Sequence, residues 1–256
     1  MISVVQLGTV DYATGLRLQE SLVAMRKAGQ LGDVLLLLEH SPVITLGRNA
    51  RRENLLASPE LLASKGVELF ECDRGGDITF HGPGQLVGYP IFDLRGSQPR
   101  IGAVEFVRRL EEVLIRSCAG FGIACERVKG LTGVWTQLSA PEKAQAKIAA
   151  IGVHISRGVT SHGFALNGNT DLDYFKLIVP CGITSKPVTS LARESGAPVN
   201  LDEVARAVAG HFAQVFASDV QWVETLDALL GRKVGVPMQP PAELRQLRGE
   251  EEIFRA

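Results

Sequence analysis

Residues 147–182 read KIAAIGVHISRGVTSHGFALNGNTDLDYFKLIVPCG, and the rest of the chain is organised around them. Two strand-like runs, KIAAIGVHIS and SHGFALNG, flank a turn at Arg157-Gly158, which predicts an antiparallel pair. The stretch opens on Lys147 and closes on Cys181, set between Pro180 and Gly182. That is the grouping expected where an amine activates a thiol. Taken alone, a cysteine in a chain of this size is more often a small buried hydrophobe than a nucleophile, and a lysine at a strand entrance is usually solvated. The setting favours chemistry here. Pro180 fixes the chain entering Cys181, and Gly182 removes a side chain that would block an incoming group or the backbone amides that hold an oxyanion.

Working outward, Ile2 to Leu7 reads as a strand and Tyr12 to Ala28 as a helix, with Asp11 as N-cap, Leu18, Leu22 and Met25 on one face and Gly29 as its stop. The apolar run DVLLLLEH turns at Ser41-Pro42 into VITLGR, which predicts a central hairpin buried on both faces. Ser58-Pro59 opens a short helix as N-cap and first residue. After the strand VELFEC comes DRGGDITFHGPGQLVGYPIFDL, whose interleaved glycines let the backbone pass close to a ligand or another strand, or simply form a tight hairpin. No Walker A lysine follows it, and no GxGxxG opens a helix. A helix is expected from Val104 to Cys118, a hairpin from IACERV to VWTQL, a polar loop over Ser139–Ala146, and a capped helix from Leu201 to Phe216 with Asn200 and Glu203 in capping-box spacing. The chain divides into a domain over residues 1–217 and an appendage over 218–256, rich in proline and then in charge.

Composition narrows the functional classes. With 27 Lys+Arg against 28 Asp+Glu and a net charge of -1, the 256-residue chain lacks the overall basic footprint of a nucleic-acid binder. The start MISVVQLGTVDY has no basic segment followed by a long apolar core, and the apolar run Val34 to Leu38 is too short to cross a bilayer, so a soluble, cytoplasmic protein with no membrane partner is expected. Cys72, Cys118, Cys125 and Cys181 form no CxxC pair and read as reduced thiols. His40, His81, His154, His162 and His211 lack zinc-site spacing; no metal and no cofactor are expected. Arg48, Arg51 and Arg52 share a polar loop that reads either as solvated or as a docking surface.

RGGDITFHGPGQLVGYP from Arg74, GLTGVW from Gly130, KIAAIGV from Lys147, SHGFALN from Ser161 and PCGI from Pro180 resemble the lipoyl(octanoyl) transferase family, as does EHSPVITLGR from Glu39. The resemblance covers about residues 1–216 with the motifs in order. It implies an α/β (α+β) fold of the biotin/lipoate protein ligase type, with a mixed, largely antiparallel sheet flanked by helices. It also implies transfer of octanoate from octanoyl acyl carrier protein to the enzyme cysteine, then to a lysine on lipoyl domains of 2-oxoacid dehydrogenases or the glycine-cleavage carrier protein. By the same resemblance Cys181 is the acyl-thioester nucleophile and Lys147 its activator. The substrate-contacting positions are Arg74, Gly75, Gly76, Asp77, Ile78, Thr79, Phe80 and His81, then Ala150, Ile151 and Gly152, and Gly163, Phe164 and Ala165. One departure is Gly168, where family members usually carry a branched apolar residue.

The chemistry suits those residue types. A free thiol is only a few per cent ionised at pH 7, and an ammonium within about 4–6 Å favours the reactive thiolate by roughly 1.4–2.7 kcal/mol. Burying about six methylenes in a slot contributes about 5 kcal/mol, enough to prefer a medium acyl chain over acetyl. Ile151, Phe164 and Leu166 read more simply as core, and His81 and His162 offer a less favoured Cys-His pairing. Two other classes remain: an ATP-dependent lipoate or biotin ligase of the same fold, disfavoured by PCGI and by the lack of a GRGRxGR stretch, and a noncatalytic carrier-protein-binding module, which needs no paired lysine and cysteine.

Overall fold

The computed structural model describes residues 1–96, 100–137, 144–183 and 185–231. The polar run Ser139–Ala146 falls partly outside the described residues, as does the tail with Pro237, Pro240, Pro241 and the charged stretch after them. An eight-stranded sheet is built from β1 (Ile2–Val10), β2 (Asp33–His40), β6 (Gln85–Ile91), β7 (Cys125–Val128), β8 (Leu131–Thr136), β9 (Lys147–Ser156), β10 (Val159–Asn167) and β11 (Val220–Trp222). Their order is β11-β1-β2-β6-β10-β9-β8-β7, parallel at the β11-β1-β2 end and antiparallel from β2 onward. A second sheet, β4-β3-β5, joins β3 (Val43–Leu46), β4 (Glu68–Glu71) and β5 (Ile78–His81). The mixed, largely antiparallel sheet expected from the sequence is present.

The hairpin expected across Ser41-Pro42 does not form. β2 already has β1 on one edge and β6 on the other, so its wholly apolar centre is enclosed and no edge is left for β3. β3 pairs instead with β4 and β5 in the small sheet. The Gly82-Pro83-Gly84 turn is likewise no hairpin and carries the chain from the small sheet to the large one. Gly84 has φ +82° and lies so close to Asn169 that a Cβ would sit 2.7 Å from its carbonyl, the close backbone passage its composition suggested.

Helices cover both faces of the large sheet. α3 (Ala103–Gly120) and α5 (Leu201–Phe216) bury Phe106, Leu110, Val113, Val208 and Phe212 against Val4, Leu35, Leu37, Phe164 and Leu166. Asn200 caps α5 through Oδ1, which accepts from the Asp202 and Glu203 amides. On the opposite face α1 (Tyr12–Lys27), capped by Asp11, buries Leu18 and Leu22 on Val5, Leu36, Leu38 and Val87. A third, smaller core beneath the small sheet gathers Ile44, Ile78, Phe80 and Phe175 with Leu62 of α2 (Pro59–Ser64), whose N-cap is Ser58. Gly168 follows a β10 that keeps its register through Asn167. A side chain there would meet Leu201 at 2.4 Å, so the glycine makes room for the start of α5. The sequence-based division at 217/218 falls between α5 and β11. Beyond it, β11 pairs with β1, and Leu226 of α6 (Leu226–Leu230) is buried. Among the described residues, no helix is long and apolar enough to cross a membrane.

His40, at the end of β2, is fully buried. The Val10 carbonyl, 2.7 Å from Nδ1, only accepts, so Nδ1 carries the proton and Nε2 accepts from the Tyr89 hydroxyl at 2.7 Å. Burial pulls the His40 pKa from 6.5 down to about 4. The unfolded chain is then the better proton binder, so this contribution to stability is complete above about pH 6.5 and is lost as the pH falls toward 4, at about 1.4 kcal/mol per unit. His40→Gln is expected to flatten the fall of melting temperature between pH 7 and 4.5. Parallel curves for variant and parent would contradict this.

Candidate active site

A cleft of about 540 Å³ opens between the large sheet and the small one. Its floor comes from side-chain-poor positions of β9 and β10, where Gly152 faces Gly163 and Ala150 faces Ala165 across the strand pair, together with Val87 and Tyr89 of β6. Its other wall carries Arg74, Gly76, Asp77, Thr79 and His81. Ile78 and Phe80 alternate with these along β5 and point into the small core, while Gly75 ties the wall to β9 through a 3.0 Å hydrogen bond to the Val153 carbonyl. Ile151 and Phe164 border the cleft while packing on the large core, and Leu166 lies wholly within that core.

Lys147 and Cys181, 34 residues apart, meet in this cleft with Nζ 3.3 Å from Sγ. Lys147 is 6 % exposed, and its ammonium lies 4.8 Å from the centre of the Trp135 ring. That cation–π contact offsets about 1–2 kcal/mol of its desolvation. Gly133 makes the room. A Cβ at this φ of +120° would stand 2.6 Å from the Ala149 carbonyl and 3.4 Å from Cε of Lys147. The Gly133 amide donates to the buried carboxylate of Glu111 on α3, which also holds Arg108 and Arg127.

Cys181 occupies a tight turn at φ 55°, ψ 21°, a left-handed conformation that costs a non-glycine residue roughly 1–2 kcal/mol. The turn is held from the small-sheet side. The Val179 amide donates to the Asn54 carbonyl at 2.7 Å, the Asn54 amide group donates to Asp77, and Asp77 also accepts from the amides of Arg51 and Ile78. Gly182 suits the turn, since at its φ of +66° a side chain is strained and a Cβ would lie 3.0 Å from the Asp77 carboxylate.

The far end of the cleft is polar. Arg74 is buried, and its guanidinium donates to the Thr45 hydroxyl and carbonyl and to the Gly75 carbonyl. Burial pushes His81 down to about 3 and also lowers His162, leaving both neutral at pH 7. His162 donates from Nε2 to Asp73 at 2.7 Å. Partial burial opposes ionisation of Asp73, yet the His162 hydrogen bond and the neighbouring histidines hold its carboxyl below the ordinary value. Neither His81 nor His162 is hydrogen-bonded to Cys181; each has other partners. Arg51 borders the cleft, while Arg48 and Arg52 stay exposed, Arg52 with Glu71 at 3.3 Å. Tyr12, Asn49, Asn54, Tyr89, Trp135 and the Gly130–Thr132 wall are additions that sequence reading did not assign to the site. Gly130–Thr132 and Trp135 had a signal in the GLTGVW run, and Tyr89 in RGGDITFHGPGQLVGYP. Among the described residues no cluster of three or more metal-ligating side chains occurs.

The cleft thus holds a lysine amine on a cysteine thiol beside a floor of glycine and alanine. The family model for the lipoyl protein ligase A/B catalytic domain matches residues 11–213. An octanoyltransferase of Koribacter versatilis is 60% identical over 251 residues, 98% of each chain, and one of Acidobacterium capsulatum is 54% identical over 237 residues, 90% of this chain and 96% of the other. The chain belongs to the lipoyl(octanoyl) transferase family. That membership makes it an acyltransferase. In fold it is similar to a bipartite lipoate protein ligase from Thermoplasma acidophilum, with a TM-score of 0.69 at 17% identity over 90% of each chain.

Proposed function

We propose that the chain takes an octanoyl group from octanoyl acyl carrier protein onto Cys181 and passes it to a lysine of lipoyl domains. The acceptors are those of 2-oxoacid dehydrogenases and the glycine-cleavage carrier protein. The observation that carries the reading is the 3.3 Å approach of the Lys147 amine to the Cys181 thiol beside the small-residue floor. In the first half, the Cys181 thiolate attacks the carrier thioester carbonyl. The carbon–sulfur bond to the carrier breaks, and the carrier thiolate leaves with a proton given up by the Lys147 ammonium, which is left as the neutral amine. In the second, the acceptor amine attacks the Cys181 thioester, an amide forms, and the Cys181 thiolate is released as Lys147 receives the amine proton.

Incubation with octanoyl carrier protein in the absence of ATP, followed by intact mass measurement, tests this. A gain of one octanoyl group that maps to Cys181 is expected. Octanoylation of an added lipoyl domain only with octanoate and ATP, with no gain on the enzyme, would establish a ligase instead, and no octanoylated protein under either condition would leave a binding module.

Arg51 borders the cleft and Arg48 and Arg52 are exposed in the same loop, which supports reading the loop as a docking surface for an acidic carrier protein. Arg51→Glu with Arg52→Glu is expected to slow transfer from carrier protein at least tenfold and to leave transfer from a small octanoyl thioester within twofold. The Arg51 contact to Asp77 uses the backbone amide and survives the change. Equal losses with both donors would remove the docking role.

A further inference from the structure

A buried chain of hydrogen bonds runs from the cleft wall to the backbone of Lys147, and its polarity is fixed at every link. His81 is buried and neutral, and Nδ1 stands 2.7 Å from Gln85 Oε1, an oxygen that only accepts. The Gln85 amide is thereby oriented, and its Nε2 donates to Asn167 Oδ1 at 2.9 Å and to the Phe80 carbonyl at 3.1 Å. With its oxygen taken, Asn167 turns Nδ2 to the Thr189 carbonyl at 2.8 Å. Thr189 in turn donates its amide to the Lys147 carbonyl at 2.9 Å, while the Lys147 amide donates to the Pro187 carbonyl at 2.8 Å. His81, Gln85, Asn167 and Thr189 are all buried, so water is poorly placed to replace a lost partner.

We propose that Asn167 is a positioning residue for the reacting pair. Through Thr189 it fixes the segment that grips Lys147 on both sides of its backbone, and so sets where the ammonium meets Cys181. This rests on the reading of Lys147 and Cys181 as that pair. Asn167 is 3 % exposed at the end of β10, lines a small cavity with Lys147 and Cys181 and is hydrogen-bonded to neither, so its bonded route to the pair is the Thr189 clamp.

The test is the rate of Cys181 alkylation by iodoacetamide, followed by peptide mass from pH 6 to 9.5, with melting temperature measured alongside. Asn167→Asp keeps the size and the acceptor, turns an acceptor on the Thr189 carbonyl in place of the donor and adds a negative charge near the thiol, so the uncharged Asn167→Ser decides between lost positioning and a direct effect of charge. Alkylation at pH 7 is expected to fall at least fivefold, with the deficit shrinking toward pH 9.5, where a thiol ionises unaided. Asn167→Ser, too short to reach Thr189, is expected to behave alike and serves where the aspartate variant does not fold. Val204→Ala, a cavity in α5 at a residue that does not line the cleft, should lower the melting temperature and leave alkylation unchanged. Alkylation within twofold of the parent at every pH in the folded Asn167 variants would overturn the proposal. If Lys147→Ala also leaves alkylation unchanged, the pair itself fails rather than Asn167 alone.

Discussion

Lys147→Ala is expected to slow octanoyl transfer by two to four orders of magnitude, the range seen when a positioned proton-transfer group is removed. Lys147→Arg separates its two tasks. Arginine keeps a permanent positive charge near the thiol and should retain most of the acylation rate if charge alone matters. It has no means of accepting a proton from the incoming amine, so octanoyl enzyme should accumulate and transfer to the lipoyl domain should stall. Acylation is followed by mass gain, and deacylation by decay of isolated octanoyl enzyme on adding acceptor. An arginine variant that completes both halves at the parental rate excludes the proton-acceptor task.

The second large effect falls on Cys181. Cys181→Ser preserves the turn and the reach of Lys147, but a hydroxyl ionises far less readily than a thiol, and transfer should drop at least a thousandfold with no adduct in the mass spectrum. Cys181→Gly is equally inactive and carries a stability signature. At φ 55° glycine relieves roughly 1–2 kcal/mol of strain, against about 0.5–1 kcal/mol for the extra freedom of its unfolded chain. The glycine variant should therefore melt at or above the parent temperature. A clear fall would mean that the left-handed turn is not a stored cost.

The antiparallel β9–β10 pair was legible because two strand-like runs flank an Arg-Gly turn, and the helices at Tyr12 and Leu201 because Asp11 and Asn200 announce them. The β2–β3 error has a definite cause. A run of five apolar residues says that both faces are covered but not which strands occupy its edges, and edge occupancy decided where β3 went. In the site, the resemblance pointed to Lys147 and Cys181, but their 3.3 Å approach is a tertiary fact that no periodicity encodes. Asn54 behind the cysteine was illegible for the same reason, and although Trp135, Gln85 and Asn167 stand in the family-like runs, their roles depend on partners far away in sequence. The left-handed turn at Cys181 had no signal either, since cysteine does not advertise positive φ as glycine or asparagine does.

Lys147 and Cys181 belong to different layers. Lys147 rides on the eight-stranded sheet, while the cysteine turn hangs from Asn54 and Asp77 beside the three-stranded one. Among the described residues, the core under the small sheet has ten buried apolar members against twenty-six in the larger core beneath α3 and α5. The lighter layer is therefore the one to open first on warming, by local unfolding that spares the rest. With Lys147 and Cys181 acting as proposed, activity is expected to be lost below the main melting transition while most of the helix content persists, and to return on cooling; loss of activity and of helix signal at one temperature would contradict this.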